Sequence, residues 1–245
     1  MCYDMSYYST IKTISDFLQL AHTPLLNFTP TYHQVAQSYC QWPIAINNNG
    51  ISIQLFEWGV ITDYMNTPQS IKQYRSSMAN ARSEKMIGDK QSVWHTLRQQ
   101  RCLVFSTGFF EHQAVSKKKK QPYFIHVKNE PIFCIAGLYN YYPIQSQNTK
   151  VMQGSFTILT RAANELMQTI HNSGEHGGRM PLLLTKQLAN KWLQPNLTDT
   201  EIETIAGFEM PANMLQAWPV HTIRTPKTDN QKIIEKIIIQ NNTLF

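Results

Sequence analysis

Cys2 follows Met1 directly, and its position gives it chemistry that an internal cysteine lacks. Its small side chain makes the Met1 peptide bond a good substrate for methionine removal. Removal would leave an α-amine and a thiol on adjacent carbons. Such an amine condenses with an aldehyde to a Schiff base, and the thiol then closes a five-membered thiazolidine ring. The amine titrates near ~7.7–8.0 and the thiol near ~8.5, so both are partly reactive around neutral pH.

Three further segments place polar residues where a core would not want them: Asn80-Ala81-Arg82-Ser83-Glu84, Gly108-Phe109-Phe110-Glu111-His112, and Ile170-His171-Asn172 with Arg179-Met180-Pro181 beyond a glycine-rich loop. Glu111 follows two aromatics; burial there would raise its pKa and suit it to general acid or base work. In isolation it reads more readily as a surface residue at a strand end. His171 ends an apolar helical stretch, where a histidine usually serves as a C-terminal charge on the helix dipole. Arg82 and Arg179 match phosphate oxygens in fork geometry, or form ordinary surface ion pairs with an acid such as Glu84 or Glu175. The run Lys117–Lys120 reads as a solvated hairpin turn rather than a nucleic-acid site.

The elements that must position these residues can be traced along the chain. The 245 residues are 42% hydrophobic, with 5 Trp, 11 Tyr and 11 Phe, enough for a substantial core. Helical spacing covers roughly 10–21, followed by an irregular Pro- and Asn-containing stretch from Pro24 to Gly50. Alternation predicts a strand from Ile51 to Trp58-Gly59, helices over 69–79 and 91–100, and strands over 101–106, 122–128, 132–139 and 154–160. A helix over 162–170, a short strand over 179–184, a helix over 185–193 and a capping box at Thr198–Glu201 follow. Ala217–His221 reads as a late strand, and 232–240 as an apolar tail that packs on the core. The interleaving has no βαβ period. It predicts one α+β domain over 1–245, with a curled, mainly antiparallel sheet or barrel flanked by helices.

The net charge of +6 is compatible with polyanion binding. Cys2, Cys40, Cys102 and Cys134 form no CxxC pair, and no His/Cys cluster has zinc spacing, so no metal or cofactor is expected. No signal segment or membrane span is legible, which points to a reducing cytoplasm.

The order of the motifs is more specific than any one of them. Met1-Cys2, WGVIT (58–62), NARSE (80–84), RCLVFSTGFFEH (101–112), KQPYFI (120–125), AGLY (136–139), SFTILTRAAN (155–164), IHN (170–172) and RMP (179–181) together resemble the SRAP family, the SOS-response-associated peptidases or abasic-site processing proteins. The opening Cys2-Tyr3 and PTYHQ at 30–34 look like a bacterial sub-branch, and the motifs span 2–220. The resemblance implies covalent capture of abasic sites in single-stranded DNA by a nucleoid-associated monomer, with self-processing of the N-terminus and AP-lyase activity. Carried over by position, Cys2 would be the nucleophile and Asn80 would orient its end. Glu111 would move protons during ring closure and reversal. His171 would donate to the sugar oxygen and support strand cleavage, while Arg82 and Arg179 would hold phosphates.

Four departures from the family pattern stand out. Tyr3-Asp4 replaces a common Gly-Arg, which removes a basic contact and places at Asp4 a charge that would repel a phosphate. Thr62 stands for a proline and His112 for an aromatic. The loop 172–178 is longer than usual and separates His171 from Arg179. Two other readings stay open: an N-terminal-nucleophile amidohydrolase using the Cys2 thiol, and a non-enzymatic single-strand DNA-binding module that stacks bases on aromatics.

Overall fold

A computed structural model describes residues 2–146, 149–175, 177–223 and 229–238. The first half of the chain runs β1 (Asp4–Tyr7), α1 (Ile11–Leu18), β2 (Thr31–Val35), β3 (Gln41–Asn47), β4 (Ile51–Trp58), α2 (Pro68–Tyr74), β5 (Asn80–Arg82), α3 (Lys85–Gly88) and α4 (Val93–Thr96). The second half runs β6 (Arg101–Ser106), β7 (Gly108–Ala114), β8 (Lys120–Val127), β9 (Phe133–Ser146), β10 (Thr149–Ala162), α5 (Glu165–Ile170), β11 (Arg179–Pro181), β12 (Leu183–Leu184), α6 (Lys186–Trp192), α7 (Asp199–Ala206) and β13 (Leu215–Pro219).

Strands β10, β4, β3, β6 and β9 pair in that order, and β9 pairs back onto β10, so the five close a barrel. A second sheet has the order β13-β8-β7-β1-β2 and is antiparallel throughout. The α+β, mainly antiparallel expectation holds; the exceptions are the parallel pairs of β10 with β4 and with β5. The chain passes from barrel to second sheet across Thr107 alone. There Ser106 Oγ donates to the carbonyl of Gly108 at 2.7 Å and Thr107 N–H to that of Ser6 at 2.9 Å. Gly108 is required at this crossing, because a Cβ would lie 2.0 Å from the Phe124 ring.

Strand β10 organises the region around the candidate residues. Its pairing with β9 ends at Ile158↔Gly137. Beyond that point β11 pairs with it, at Thr160↔Pro181 and Ala162↔Arg179. On its other edge β5 follows β4, with Ile158↔Asn80 and Thr160↔Arg82. One buried cluster runs from Cys2 to Leu215 and draws on both sheets. Three of its four tryptophans satisfy their indole N–H groups on main-chain carbonyls: Trp42 on Phe105 at 2.7 Å, Trp58 on Ala79 at 2.9 Å and Trp192 on Cys102 at 3.1 Å.

Several expectations need correction. The stretch 24–50 is not irregular throughout, since it contains β2 and β3. Pro43 lies inside β3, but pairing with β6 starts only at Ile44, so its missing N–H falls at the end of that ladder. The helix predicted over 91–100 is a single turn, Val93–Thr96. The strand predicted over 179–184 is two, because β11 pairs with β10 and β12 with β9. Residues 229–238 lie against the second sheet: Ile233 and Ile234 pack on Phe110, Phe124, Val220 and Ile223, and Trp218 Nε1 donates to the Ile234 carbonyl at 2.7 Å. Residues 239–240 of the predicted tail lie outside the described residues.

Candidate active site

Cys2 precedes β1, which pairs with β7 at Asp4↔Phe110 and Met5↔Phe109. Continued by one residue, this register sets Tyr3 opposite Glu111. The GFFEH segment is therefore strand interior rather than strand end. Alternation sends Phe109 into the main core and Phe110 into the outer cluster, and Glu111 follows Phe109 inward. Glu111 is 6% exposed and Cys2 is 0% exposed.

Burial, then the charges of Glu111 and Asp4, push the Cys2 thiol well above its ordinary range. The group is a neutral thiol, and its S–H donates to the Asp4 main-chain carbonyl at 3.7 Å. Burial, Cys2 and Glu111 likewise raise the Tyr3 phenol.

His171 caps the C-terminus of α5, whose N-terminus is held by Asn164 accepting from Met167 N–H at 3.0 Å. Its Nδ1 lies 2.8 Å from the Arg179 carbonyl. A carbonyl only accepts, so Nδ1 carries a proton, and Nε2 is the nitrogen left to give or take one. The same nitrogen stands 3.8 Å from Glu111 Oε1, with both side chains under 10% exposed (9% and 8%). The longer loop does not separate His171 from Arg179. Gly178 N–H donates to the His171 carbonyl at 2.7 Å, closing the loop on itself, and Gly174 and Gly178 take the positive φ values (90° and 70°) that closure needs.

Arg179 spends its guanidinium within the protein. Nη1 and Nη2 donate to the two carboxylate oxygens of Glu84, each at 3.0 Å, and Nη2 also donates to the Thr160 carbonyl at 2.6 Å. Burial opposes the charge on Glu84. The Arg179 hydrogen bond, a backbone hydrogen bond and the charges of Arg179 and Arg82 outweigh it, so the carboxyl titrates below its usual range. Arg82 is exposed on β5. Asn80 shares its strand face but is 5% exposed, and among the described residues neither Oδ1 nor Nδ2 has a hydrogen-bond partner. Glu111 and His171 thus meet directly, and Cys2 is linked to them through the field of Glu111. Arg82 and Arg179 flank β10 at Thr160, with Asn80 two residues before Arg82.

Asp4 does not face a phosphate, contrary to expectation. It is 3% exposed, and its Oδ1 lies 2.8 Å from His33 Nε2. His33 belongs to the PTYHQ segment, so the acid that departs from the family pattern is paired with a residue of that segment. Sequence alone gave no role to Asn172, which clamps β7: it accepts from Ala114 N–H at 2.8 Å and donates to the Ala114 carbonyl at 3.2 Å. Among the described residues no group of three His, Cys, Asp or Glu is placed to hold a metal. No described helix is long and apolar enough to cross a membrane.

The arrangement is a buried cluster whose groups can exchange protons: a carboxylate beside an imidazole and in electrostatic reach of a thiol, with an exposed arginine on β5. The model of the SOS response associated peptidase (SRAP) family matches residues 1–223. The abasic site processing protein YoqW of Bacillus subtilis is 29% identical over 211 residues, 85% of this chain and 87% of its own. The abasic site processing protein YedK of Escherichia coli is 26% identical over 187 residues, 74% of this chain and 73% of its own. A crystal structure of a Bacteroides thetaiotaomicron protein superposes with a TM-score of 0.83 at 26% identity, over 97% of this chain and 100% of that one. The chain belongs to the SOS response associated peptidase family.

Proposed function

We propose that this protein captures abasic sites in single-stranded DNA as a covalent adduct of Cys2. The observation that carries the reading is Glu111, buried beside His171 and raising the Cys2 thiol. Once Met1 is gone, the Cys2 amine attacks the ring-opened sugar aldehyde. A Schiff base forms and water leaves. The thiol then adds to the imine carbon, Glu111 takes its proton, and that proton goes to the imine nitrogen as the ring closes. A thiol this far above its ordinary range needs such a base. His171, its Nδ1–H held by the Arg179 carbonyl, protonates the sugar oxygen from Nε2 in its imidazolium form as the furanose opens. Asn80 brings unsatisfied polar atoms to hold the Cys2 end or the sugar, and Arg82 takes a phosphate. Arg179 positions His171 and Glu84 instead of binding DNA.

Relatives named for abasic-site processing support the substrate class. We extend the reading to a monomer that removes its own Met1 and cleaves the strand through the Schiff base. The test is a heat- and detergent-stable adduct with abasic single-stranded DNA. Cys2→Ala should abolish it, and Cys2→Ser should leave only a reversible Schiff base. A normal stable adduct from Cys2→Ala would sink the reading.

A further inference from the structure

The turn between β7 and β8 carries Lys117, Lys118, Lys119 and Lys120, all exposed. The chain's net charge is +6, so without these four it would be +2. Hairpin turns favour Gly, Asn and Asp, and four adjacent lysines repel one another. No ion pair among the described residues involves any of the four. Protection of a sheet edge does not explain them, because β7 and β8 are both interior strands of their sheet.

The turn is held in place at both levels. Val115 N–H donates to the Lys119 carbonyl at 3.0 Å, and Lys119 N–H to Ser116 Oγ at 3.2 Å. Below it, the stem is fastened to the segment that carries His171: Gln113 Nε2 donates to the Thr169 carbonyl at 2.9 Å, and Asn172 clamps Ala114. Glu111 lies on the same strand, six residues before Lys117. At ~3.3 Å per residue, the Lys117 backbone stands roughly 20 Å along the strand from Glu111.

We propose that the Lys117–Lys120 turn is a second contact for DNA, holding backbone phosphates on one flank of the captured site. The proposal rests on the single-stranded DNA reading above. The β7 stem sets the spacing, so the contact depends on DNA length while the chemistry at Cys2 does not.

The test compares two abasic oligonucleotides, one with two nucleotides on each side of the lesion and one with fifteen. The variant is the quadruple substitution K117Q/K118Q/K119Q/K120Q, with the quadruple Lys→Arg variant as rescue. A single-strand phosphate contact contributes ~0.7 to the salt slope, so losing two contacts should lower the slope by ~1.4 and weaken binding of the long oligonucleotide roughly 25-fold at 0.1 M salt. The arginine variant should keep the wild-type slope. On the short oligonucleotide, affinity and adduct rate should stay within about twofold of wild type. An unchanged slope on the long oligonucleotide overturns the proposal, as does an equal loss on both lengths. If wild-type protein forms no adduct with either, the functional reading fails and the proposal falls with it. If wild type captures both and the glutamine variant matches it, only the lysine contact is wrong.

Discussion

Replacing Glu111 by glutamine should move two observables in opposite directions. The Cys2 thiol is raised first by burial, then by Glu111, then by Asp4. Glutamine keeps the shape and the burial and removes one charge. Removing the carboxylate charge lowers the thiol toward its ordinary range and raises its thiolate fraction at any pH well below the midpoint. Alkylation of Cys2 by iodoacetamide, read by mass on the Cys2 peptide, should therefore be faster in the variant. Ring closure should go the other way, because a positioned proton carrier contributes ~10²–10⁴-fold. Stable-adduct formation should slow by that order, and transfer of a preformed adduct to competitor abasic DNA should slow with it. Unchanged or slower alkylation would refute the electrostatic link between Glu111 and Cys2. Adduct release at the wild-type rate would refute the proton shuttle, even if alkylation behaved as expected.

The two arginines should separate cleanly. Arg82→Ala should lower the salt slope of single-strand binding by ~0.7, whereas Arg179→Ala should leave the slope unchanged and slow capture only as loss of its Glu84 and Thr160 contacts lets the carbonyl that holds His171 shift. His171→Ala should slow initial capture and reduce strand cleavage together, measured as time courses of adduct and nicked product. Asp4→Ala removes the acceptor of a buried His33 ring, and urea unfolding should report a loss of about 1–3 kcal/mol; no loss would remove the pair from the account. Gly108→Ala drives a methyl into the Phe124 ring and should lower stability by at least about 1–3 kcal/mol in the same assay.

The sequence was legible where one physical signal dominated. Alternation located β4, a short apolar run between polar residues located β6, and Thr198 and Glu201 do form the reciprocal capping box of α7. It was least legible where two faces are buried at once. Trp42-Pro43-Ile44-Ala45-Ile46 shows no alternation because β3 is buried along its length inside the barrel wall, and the proline disguised it further. Phe109-Phe110 hid β7 in the same way, since the two rings serve different clusters. Strands β9 and β10 run longer than expected, to Ser146 and from Thr149, because hydrogen bonding carries the hairpin past its apolar residues. The site residues stood out as types, but their partners did not. Asp4 meets His33 across 29 residues of sequence, and Arg179 meets Glu84 across 95. Such pairings follow from the order of strands around β10 and β1, which no local pattern encodes.

The central claim is that Cys2, with its amine exposed, bonds to the abasic sugar. Intact mass of the protein before and after mixing with abasic single-stranded DNA tests it most directly. The account predicts a chain lacking Met1, which then gains the mass of the oligonucleotide less one water, with the linkage mapped to Cys2. A chain that retains Met1 and still forms the stable adduct, or an adduct mapped to another residue, would contradict it.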